Sequence, residues 1–353
     1  MEPIRNSFTS AMTLARMGVP HIPSRFVLPP SQRPNPSIPA AAMPVIDISG
    51  LHDPAHRPHV IHQVGLACKE LGFFQVINHG IPSSLMKDAM DVGAEFFELA
   101  DEEKKHLVSD DVHHPVRYGT SLNHVKDKVH FWRDFIKHYS HPLSSWIHLW
   151  PSNPPTYKEK MGSYAVAVQG LHKQLIGAVF DSLGLRADYL EEDIEQGSQV
   201  MAVNFYPACP EPELTLGLPP HSDYGALTIL AQTHQGLQIM DHAQSWHFVP
   251  ATEGALVVQM GDQMEVISNG RYKSMLHRAT VNFEKKRLSI ASLHSLALEK
   301  KVGPAPELVD DQHGSGYKEA SFGGFLKHIS GNEFTKLGRY IETLKMSPHE
   351  DEV

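Results

Sequence analysis

The sequence predicts an α+β fold with a mainly β core, a double-stranded β-helix (jelly roll) with a helical N-terminal region and C-terminal helices. From residue 200 onward, short apolar segments alternate with Gly, Pro, Asp and Asn, as the strands of a double-sheet jelly roll do. Before them, apolar residues recur every three or four positions over 156–183, which indicates one long helix that ends at Gly184. A helical pattern returns over 324–345, and we expect that helix to pack on the outside of the sheet.

Length and composition limit the class of protein. With 353 residues, 41% of them hydrophobic and 20% charged, the chain can form one large folded unit or two smaller ones. Its net charge of -9 argues against nucleic-acid binding, and no apolar run approaches the roughly 18 residues of a membrane span. Cys68 and Cys209 fit neither a disulfide framework nor a thiolate metal site. We therefore expect a soluble, cytoplasmic monomer that binds a small molecule.

The first elements follow an N-terminal arm. Residues 28–44 contain six prolines, which favours an extended connection. The residues before them lack the apolar stretch of a secretory signal, and their weak Arg and Ser enrichment disfavours a transit peptide. The segment PVIDIS predicts a strand, GFFQVINHG predicts a buried strand, and helical patterns follow each of them. We divide the chain into an arm (1–43), an N-terminal region (44–155), a long helix and its connection (156–199), a jelly-roll core (200–300), and C-terminal helices with a tail (301–353).

Three residues of the predicted core could bind a metal. His221 and Asp223 in PPHSDYG stand two apart at the start of a predicted strand, so both side chains would project from one face. In a chain with 24 histidines, about one such pair arises by chance, and a surface histidine beside a capping aspartate would also explain it. His277 lies in a later apolar segment, where a buried imidazole needs a hydrogen-bond partner or a metal.

A second polar set faces the same interior. Arg287 and Ser289 stand two apart in the last predicted strand, as do Asn204 and Tyr206 in an earlier one. Two imidazoles and one carboxylate on one face of Fe(II) leave positions open for a bidentate 2-oxo acid and for O2. The arginine fork matches the distal carboxylate of 2-oxoglutarate, and the two hydroxyls would add donors. For Tyr206, a core aromatic with a satisfied hydroxyl is the alternative.

Over residues 44–345 the chain resembles the plant soluble 2-oxoglutarate/Fe(II)-dependent dioxygenases. The resemblance rests on PVIDIS, GFFQVINHG, WRDF, NFYPACPEPELTLGLPPHSD, GLQI, GDQMEVISNGRYKSMLHRATVN and RLSIASL, which occur in that family's order. It implies a distorted jelly roll in which the metal ligands and the 2-oxoglutarate-binding residues are those just described: His221, Asp223 and His277 for iron, and Tyr206, Arg287 and Ser289 for 2-oxoglutarate, with Asn204 nearby. We interpret His79 as structural, and we do not count His294 as a ligand because it lies on the opposite face of its strand from Arg287 and Ser289.

The resemblance also implies an oxidoreductase without catalytic side chains beyond the metal centre. Its cofactor would be Fe(II), with 2-oxoglutarate as cosubstrate, O2 as oxidant and ascorbate as reductant. Hydroxylation is the expected reaction, and desaturation is the second expectation. Two alternatives remain at this point. One is an oxidase that uses ascorbate instead of 2-oxoglutarate, like the ethylene-forming oxidases, and the other is a non-catalytic small-molecule binding protein on the same fold.

The substrate is less defined by the sequence than the reaction. Within the family the chain is most similar to flavanone 3-dioxygenase-like and downy-mildew-resistance-6-like members, which favours a flavonoid or related phenolic. Relatives of the anthocyanidin synthase type carry a lysine and a glutamate where this chain has Ala202 and Ser295. Lys137 could instead meet the carboxylate of a gibberellin-type or phenolic acid, or it could be a solvated surface charge. The candidate substrate wall, each member of which core packing could also explain, comprises Tyr118, Phe135, Lys137, Ala202, Leu293 and Ser295.

Overall fold

A computed structural model of the chain describes residues 9–35, 37–122, 127–310, 314–330 and 338–346. The strands within these ranges are β1 Val45–Asp47, β2 Phe73–Ile77, β3 Val116–Thr120, β4 Asp134–His141, β5 Ser198–Tyr206, β6 Leu218–His221, β7 Leu227–Gln232, β8 Leu237–Met240, β9 Trp246–Phe248, β10 Leu256–Met260, β11 His277–Ala279 and β12 Arg287–Ser295. The α-helices within these ranges are α1 Ala11–Arg16, α2 Arg57–Glu70, α3 Ser83–Glu98, α4 Asp101–Lys104, α5 Leu143–Trp146, α6 Tyr157–Ser182, α7 Glu191–Glu195, α8 Asp262–Ile267 and α9 Phe322–Ser330.

The strands form a large sheet and a small sheet. Along the large sheet the order is β1-β2-β10-β7-β12-β5-β4-β3, and along the small sheet it is β6-β11-β8-β9. The two sheets share the cavity described below, and helices cover the other side of the large sheet. This arrangement confirms the predicted jelly-roll core with helical flanks. The strands β1 to β4, which precede the core in sequence, extend the large sheet at both of its edges.

Strand alternation gives the large sheet two different faces. In β5, Met201, Val203 and Phe205 point into the apolar core beneath the helices. The intervening Asn204 and Tyr206 face the cavity between the sheets. Strand β12 pairs with β5 in antiparallel register and continues the same division of faces. A one-residue slip would exchange apolar and polar side chains between the faces, so burial fixes the register.

The long helix α6 forms the centre of the helical layer. Its apolar residues at three- and four-residue spacing are buried against α2, α3 and the large sheet. An isolated helix gains little stability in water, so this buried face is what holds α6 in place. Gly184 adopts a left-handed conformation (φ +80°) just after the helix, and Leu185 N–H donates to Phe180 O at 3.0 Å. The predicted glycine stop is thus confirmed.

Part of the N-terminal arm is folded, which its proline content did not indicate. Helix α1 packs against the sheet through a small cluster that includes Leu14, Phe26 and Trp132. The backbone N–H groups of Ala11 and Met12 donate to the buried carboxylate of Asp134, at 2.9 and 3.0 Å. The sequence described these residues only as an arm, and the helix within it is six residues long and capped by a distant carboxylate.

The C-terminal helix also differs from its prediction. The structure describes α9 and a short 3-10 helix, Tyr340–Thr343, while residues 331–337 in the middle of the predicted helix lie outside the described residues. Helix α9 does not pack on the outside of the sheet, because Phe322, Phe325, Leu326 and Ile329 line the cavity between the sheets. None of the described helices has the length and hydropathy needed to cross a bilayer.

Candidate metal centre and its cavity

Three ligand-type side chains meet at one end of the small sheet. His221, the last residue of β6, stands directly opposite His277, the first residue of β11. Asp223 follows two residues after His221. Both imidazole Nε2 atoms lie 3.7 Å from Asp223 Oδ1, and the three candidate ligand atoms all lie within 4.8 Å of one another. This is the facial arrangement of two imidazoles and one carboxylate that suits Fe(II).

The local structure behind this arrangement differs from the sequence argument. Asp223 was expected on the same strand as His221, with both side chains on one face. In the structure β6 ends at His221, and Asp223 lies in the turn before β7. The pair converges because the chain turns between them, and His277 joins through cross-strand pairing. The residues are the expected ones, but strand alternation is not what brings the first two together.

Hydrogen bonds orient both imidazoles. His221 Nδ1–H donates to Pro219 O at 2.8 Å, and His277 Nδ1–H donates to Met275 O at 3.4 Å. Since a carbonyl only accepts, each Nδ1 carries the proton and each Nε2 presents its lone pair towards Asp223. Burial, with a smaller contribution from His277, holds the pKa of His221 well below its usual value. This imidazole is therefore neutral and able to bind a metal at neutral pH.

Gln259 fixes the carboxylate and was not found from the sequence. Its Nε2 donates to Asp223 Oδ2, which leaves Oδ1 directed at the two histidines. Gln259 lies in β10, whose five residues are all buried. The available signal was a glutamine inside the apolar segment GALVVQM, because a buried amide requires a hydrogen-bond partner. Its donation to a ligand carboxylate is typical of residues that orient metal ligands.

Arg287 and Ser289 face the same cavity from the large sheet. Arg287 pairs across the strands with Tyr206, and its guanidinium carbon lies 4.9 Å from the centre of that ring. Its Nε donates to His234 O and one Nη donates to Gln232 Oε1, at 3.0 and 2.8 Å. The other, buried Nη1 has no hydrogen-bond partner among the described residues. An unmatched guanidinium donor in a cavity is a fitting partner for a ligand carboxylate.

Asn204 is already engaged within the protein. Its Oδ1 accepts from Arg133 Nη1 at 3.0 Å, and its Nδ2 donates to Ala202 O at 3.2 Å. Ser289 stands directly opposite it on β12. The side chain that was expected near 2-oxoglutarate thus also holds Arg133 in place, which the sequence did not indicate.

The cavity has a volume of about 290 Å³ and brings most of the candidate substrate wall together. Five of the six candidates line it, namely Phe135, Lys137, Ala202, Leu293 and Ser295. Tyr118 does not, and this corrects the expectation. In β3 it pairs with Ile136, on the face opposite Phe135, and its ring packs against Phe96 and Phe97 in the apolar core. The sequence placed Tyr118 one position out of phase with the cavity-facing residues of its strand.

The sequence analysis did not predict several further residues of the cavity. Arg117 and Arg133 line the cavity, as does the inner face of α9. The α9 residues gave only an amphipathic helical pattern, and the arginines gave no periodic signal at all. The two histidines that were not counted as ligands lie elsewhere: His79 donates to Gly254 O, and His294 stacks on His172 on the helix side of the large sheet.

Comparisons with known proteins assign this site to a family. Residues 43–153 match the model described as non-haem dioxygenase in morphine synthesis N-terminal, and residues 197–295 match the 2OG-Fe(II) oxygenase superfamily. Flavanone 3-dioxygenase 3 of Oryza sativa subsp. japonica is 43% identical over 90% of this chain and 98% of its own length. Protein DOWNY MILDEW RESISTANCE 6 of Arabidopsis thaliana is 40% identical over 87% of this chain and 90% of its own. A crystal structure of JOX2 in complex with 2OG, Fe and JA superposes with a TM-score of 0.84 at 29% identity, covering 96% of this chain and 98% of that one.

Proposed function

Because the chain belongs to the 2-oxoglutarate/Fe(II)-dependent oxygenase superfamily, and so is an oxidoreductase that uses Fe(II), 2-oxoglutarate and O2, we propose that His221, Asp223 and His277 hold its iron. We propose further that it hydroxylates a small hydrophobic plant metabolite, a flavonoid or related phenolic. The observation that carries the site assignment is the meeting of three ligand atoms within 4.8 Å in the cavity that also contains the unpartnered Arg287 Nη1. The alternative of a non-catalytic binding protein is not retained.

Each residue of the proposed site would have a different role. Bound Fe(II) would supply the redox chemistry that couples the decarboxylation of 2-oxoglutarate to oxidation of a substrate C–H bond. Arg287 would pair with the distal carboxylate of 2-oxoglutarate, and the hydroxyls of Ser289 and Tyr206 would add donors beside it. Gln259 keeps Asp223 turned towards the histidines. The apolar inner face of α9 would exclude water from the substrate side.

The substrate class is supported by the relatives and by the lining of the cavity. The relative that is 43% identical is named a flavanone 3-dioxygenase, and JOX2 was solved with 2OG, Fe and JA. The apolar and aromatic part of the lining favours a substrate with a hydrophobic body. Ala202 and Ser295 both line the cavity, so a flavonoid would bind without the lysine and glutamate of the anthocyanidin synthase type. A gibberellin-type or phenolic acid is the second candidate class, with Lys137 as its partner.

The proposal also includes ascorbate as the reductant and a cytoplasmic monomer. Hydroxylation is the first expected reaction and desaturation is the alternative. An oxidase that uses ascorbate in place of 2-oxoglutarate is the competing enzyme. Labelled 2-oxoglutarate, incubated with flavanones, flavones, phenolic acids and gibberellin precursors, separates the two. We expect labelled succinate in proportion to one class of oxidised product. Oxidised product without labelled succinate would favour the ascorbate-only oxidase.

The metal assignment is tested without turnover. We expect His221→Ala to lower anaerobic Fe(II) affinity by at least a factor of ten, because one of three protein ligands is lost. His59→Ala, an exposed histidine of α2, is the matched control and should bind Fe(II) as the unmodified chain does. Equal affinity of the His221→Ala variant and the control would show that the iron lies elsewhere.

A further inference from the structure

Two positive side chains stand directly opposite each other inside the cavity. Strand β3 pairs with β4 so that Arg117 faces Lys137, and both line the cavity. Arg133, just before β4, lines it as well. Like charges opposite each other on neighbouring strands destabilise a sheet, and burial increases the cost because water no longer screens them. We call Arg117, Arg133 and Lys137 the basic cluster.

The basic cluster is hydrogen-bonded but not neutralised by ion pairing. Its donors reach neutral acceptors: Lys137 Nζ to Val112 O at 2.6 Å, Arg117 Nε to Ser109 O at 2.7 Å and Nη2 to Leu122 O at 2.6 Å, and Arg133 to Asn204 Oδ1 at 3.0 Å and to Ser121 O. Among the residues that the structure describes, no carboxylate oxygen lies within 4.0 Å of its nitrogens.

Carboxylates at longer range do not offset the cost of burying these cations. Asp110, Asp111 and Asp127 attract Arg117, yet burial outweighs them and lowers its pKa to about 10. Burial, reinforced by Arg117, lowers the pKa of Lys137 to about 8. Lys137 is therefore still mostly charged at neutral pH, in a place that disfavours the charge. An anion brought into the cavity would relieve this cost.

An aromatic surface lies within the basic cluster. The Phe135 ring has the guanidinium carbon of Arg117 5.1 Å from its centre and that of Arg133 4.7 Å from it. Gly119, opposite Phe135 on β3, leaves room for this ring, since a Cβ there would lie 3.1 Å from Phe135 Cζ. The arginines are held over the ring, and Lys137 lies two residues along the strand. The cavity thus combines an apolar body with a positively charged end.

This end is separate from the proposed 2-oxoglutarate position. Lys137 pairs with Ala202 of β5, whereas Arg287 pairs with Tyr206 of the same strand. Four residues of β-strand span roughly 13 Å, so the two positive groups lie at different ends of the cavity. One dicarboxylate of the length of 2-oxoglutarate, bound through Arg287, therefore leaves Lys137 and the opposite Arg117 without an anion. Arg133 lies between the two positions, where it donates to Asn204 and interacts with Tyr206.

We propose that the basic cluster binds a carboxylate of the substrate, so that the enzyme acts on a hydrophobic organic acid rather than on an uncharged flavonoid. The inference rests on the proposed function for the reaction, and it places the second candidate substrate class, an organic acid, ahead of the flavonoid. The carboxylate lies against Lys137 and the two arginines, and the hydrophobic body lies along Phe135 and Leu293 towards the metal ligands. The bond that is oxidised belongs to this body, and the carboxylate serves only for recognition.

The test measures binding without turnover. The Fe(II)-loaded protein, saturated with 2-oxoglutarate under anaerobic conditions, is titrated by calorimetry with aromatic and terpenoid carboxylic acids and with the methyl ester of each. We expect at least one acid to bind about tenfold or more tightly than its ester, as a charge-assisted contact provides. Failure of every acid to bind, or equal binding of acid and ester, would overturn the proposal.

Variants at Lys137 identify the group responsible. In Lys137→Met the preference for acid over ester should fall about fivefold or more through loss of acid affinity, with ester affinity unchanged, because only the two arginines remain, and in Lys137→Arg it should persist. Lys158→Met is the matched control, since Lys158 also donates to a backbone carbonyl, that of His148, but lies outside the cavity. An undiminished preference in Lys137→Met, or a neutral phenol that binds more tightly than every acid, would contradict the assignment.

Turnover separates this inference from the function on which it rests. If labelled 2-oxoglutarate yields no succinate with any compound, the proposed reaction fails while an acid preference in binding still stands. If succinate forms with neutral flavonoids as readily as with acids, the reaction stands and the basic cluster does not select the substrate.

Discussion

At the scale of single residues, the proposed metal centre depends on a side chain that is not one of the three proposed ligands. Gln259 donates to Asp223 Oδ2 from a fully buried strand, and this leaves Oδ1 facing His221 and His277. Without the amide, the carboxylate could rotate and one of its oxygens would be buried without a partner. Groups that orient ligands in this way commonly change metal affinity by 10- to 100-fold.

We therefore expect Gln259→Leu to weaken anaerobic Fe(II) binding by roughly tenfold, with the fold retained. Gln75→Leu is the matched control, because Gln75 is a buried glutamine of the neighbouring strand β2 and donates to Pro250 O, away from the metal ligands. Isothermal titration with Fe(II) measures both. An affinity loss of the same size in the two variants would show a general packing effect and would remove the orienting role.

At the scale of elements, the N-terminal helix and the large sheet stabilise each other. Helix α1 is too short to be stable alone. The Asp134 carboxylate accepts hydrogen bonds from two of its free N–H groups, and its negative charge interacts favourably with the positive N-terminal end of the helix dipole. In return, those N–H groups compensate a carboxylate that is fully buried and whose pKa is raised by burial. Each partner is costly without the other.

This mutual dependence predicts a reversal of sign in a double-mutant cycle. In the full chain, Asp134→Asn should lower the melting temperature, because an amide has one acceptor oxygen for two N–H groups. After deletion of residues 1–18, which removes α1, the same substitution should raise the melting temperature, because it removes an uncompensated buried charge. Differential scanning fluorimetry on the four proteins measures the coupling. A substitution that lowers the melting temperature equally in both backgrounds would mean that α1 does not compensate Asp134.

Helix α9 shows how an element's role depends on where it packs. Its hydrophobic face is equally suited to the outside of a sheet or to the mouth of a cavity. Tyr224, in the turn just after Asp223, stacks on Phe322 and Phe325 and draws the helix across the cavity. The helix consequently forms a wall of the site, and its side chains Phe325 and Ile329 would contact the substrate.

At the scale of the whole molecule, buried histidines link the stability of the fold to pH. His138 is fully buried on the helix side of β4, with Nε2 3.1 Å from the hydroxyl of Tyr157 and its ring against Trp150. Burial lowers its pKa from 6.5 to about 3. At a pH between these two pKa values, His138 is protonated in the unfolded chain and neutral in the folded chain. The contribution of this site to stability is therefore complete above pH 6.5 and is lost as the pH falls towards 3.

The predicted measurement is the difference in unfolding free energy between the unmodified chain and His138→Gln, obtained from urea titrations. That difference should shrink by about 2 kcal/mol between pH 7 and pH 5, since only the unmodified chain has this proton to take up on unfolding. His59→Gln, at an exposed histidine of α2, is measured alongside as the control for the substitution itself. A difference for His138→Gln that does not change with pH would show that His138 is protonated within the fold.

Much of the architecture could be predicted because it depends on local pattern. Strand alternation in β5 and β12 identified Asn204, Tyr206, Arg287 and Ser289 as one inward-facing set, and the structure places all four in one cavity. The three- and four-residue spacing in α6 and the glycine after it gave both the helix and its end. In each case a residue's neighbours along the chain determine which way its side chain points.

By itself, the sequence determined the jelly roll, the reaction family and the residues proposed to bind iron and 2-oxoglutarate. Only the tertiary structure decided that Asp223 reaches its position through a turn, that Gln259 holds it, that Tyr118 faces away from the cavity, and that Arg117 stands opposite Lys137. The physical reason is the distance along the chain between the residues that interact. Periodicity reports the direction of a side chain within its own element, whereas contacts between distant elements depend on sheet order and register, which no local pattern contains.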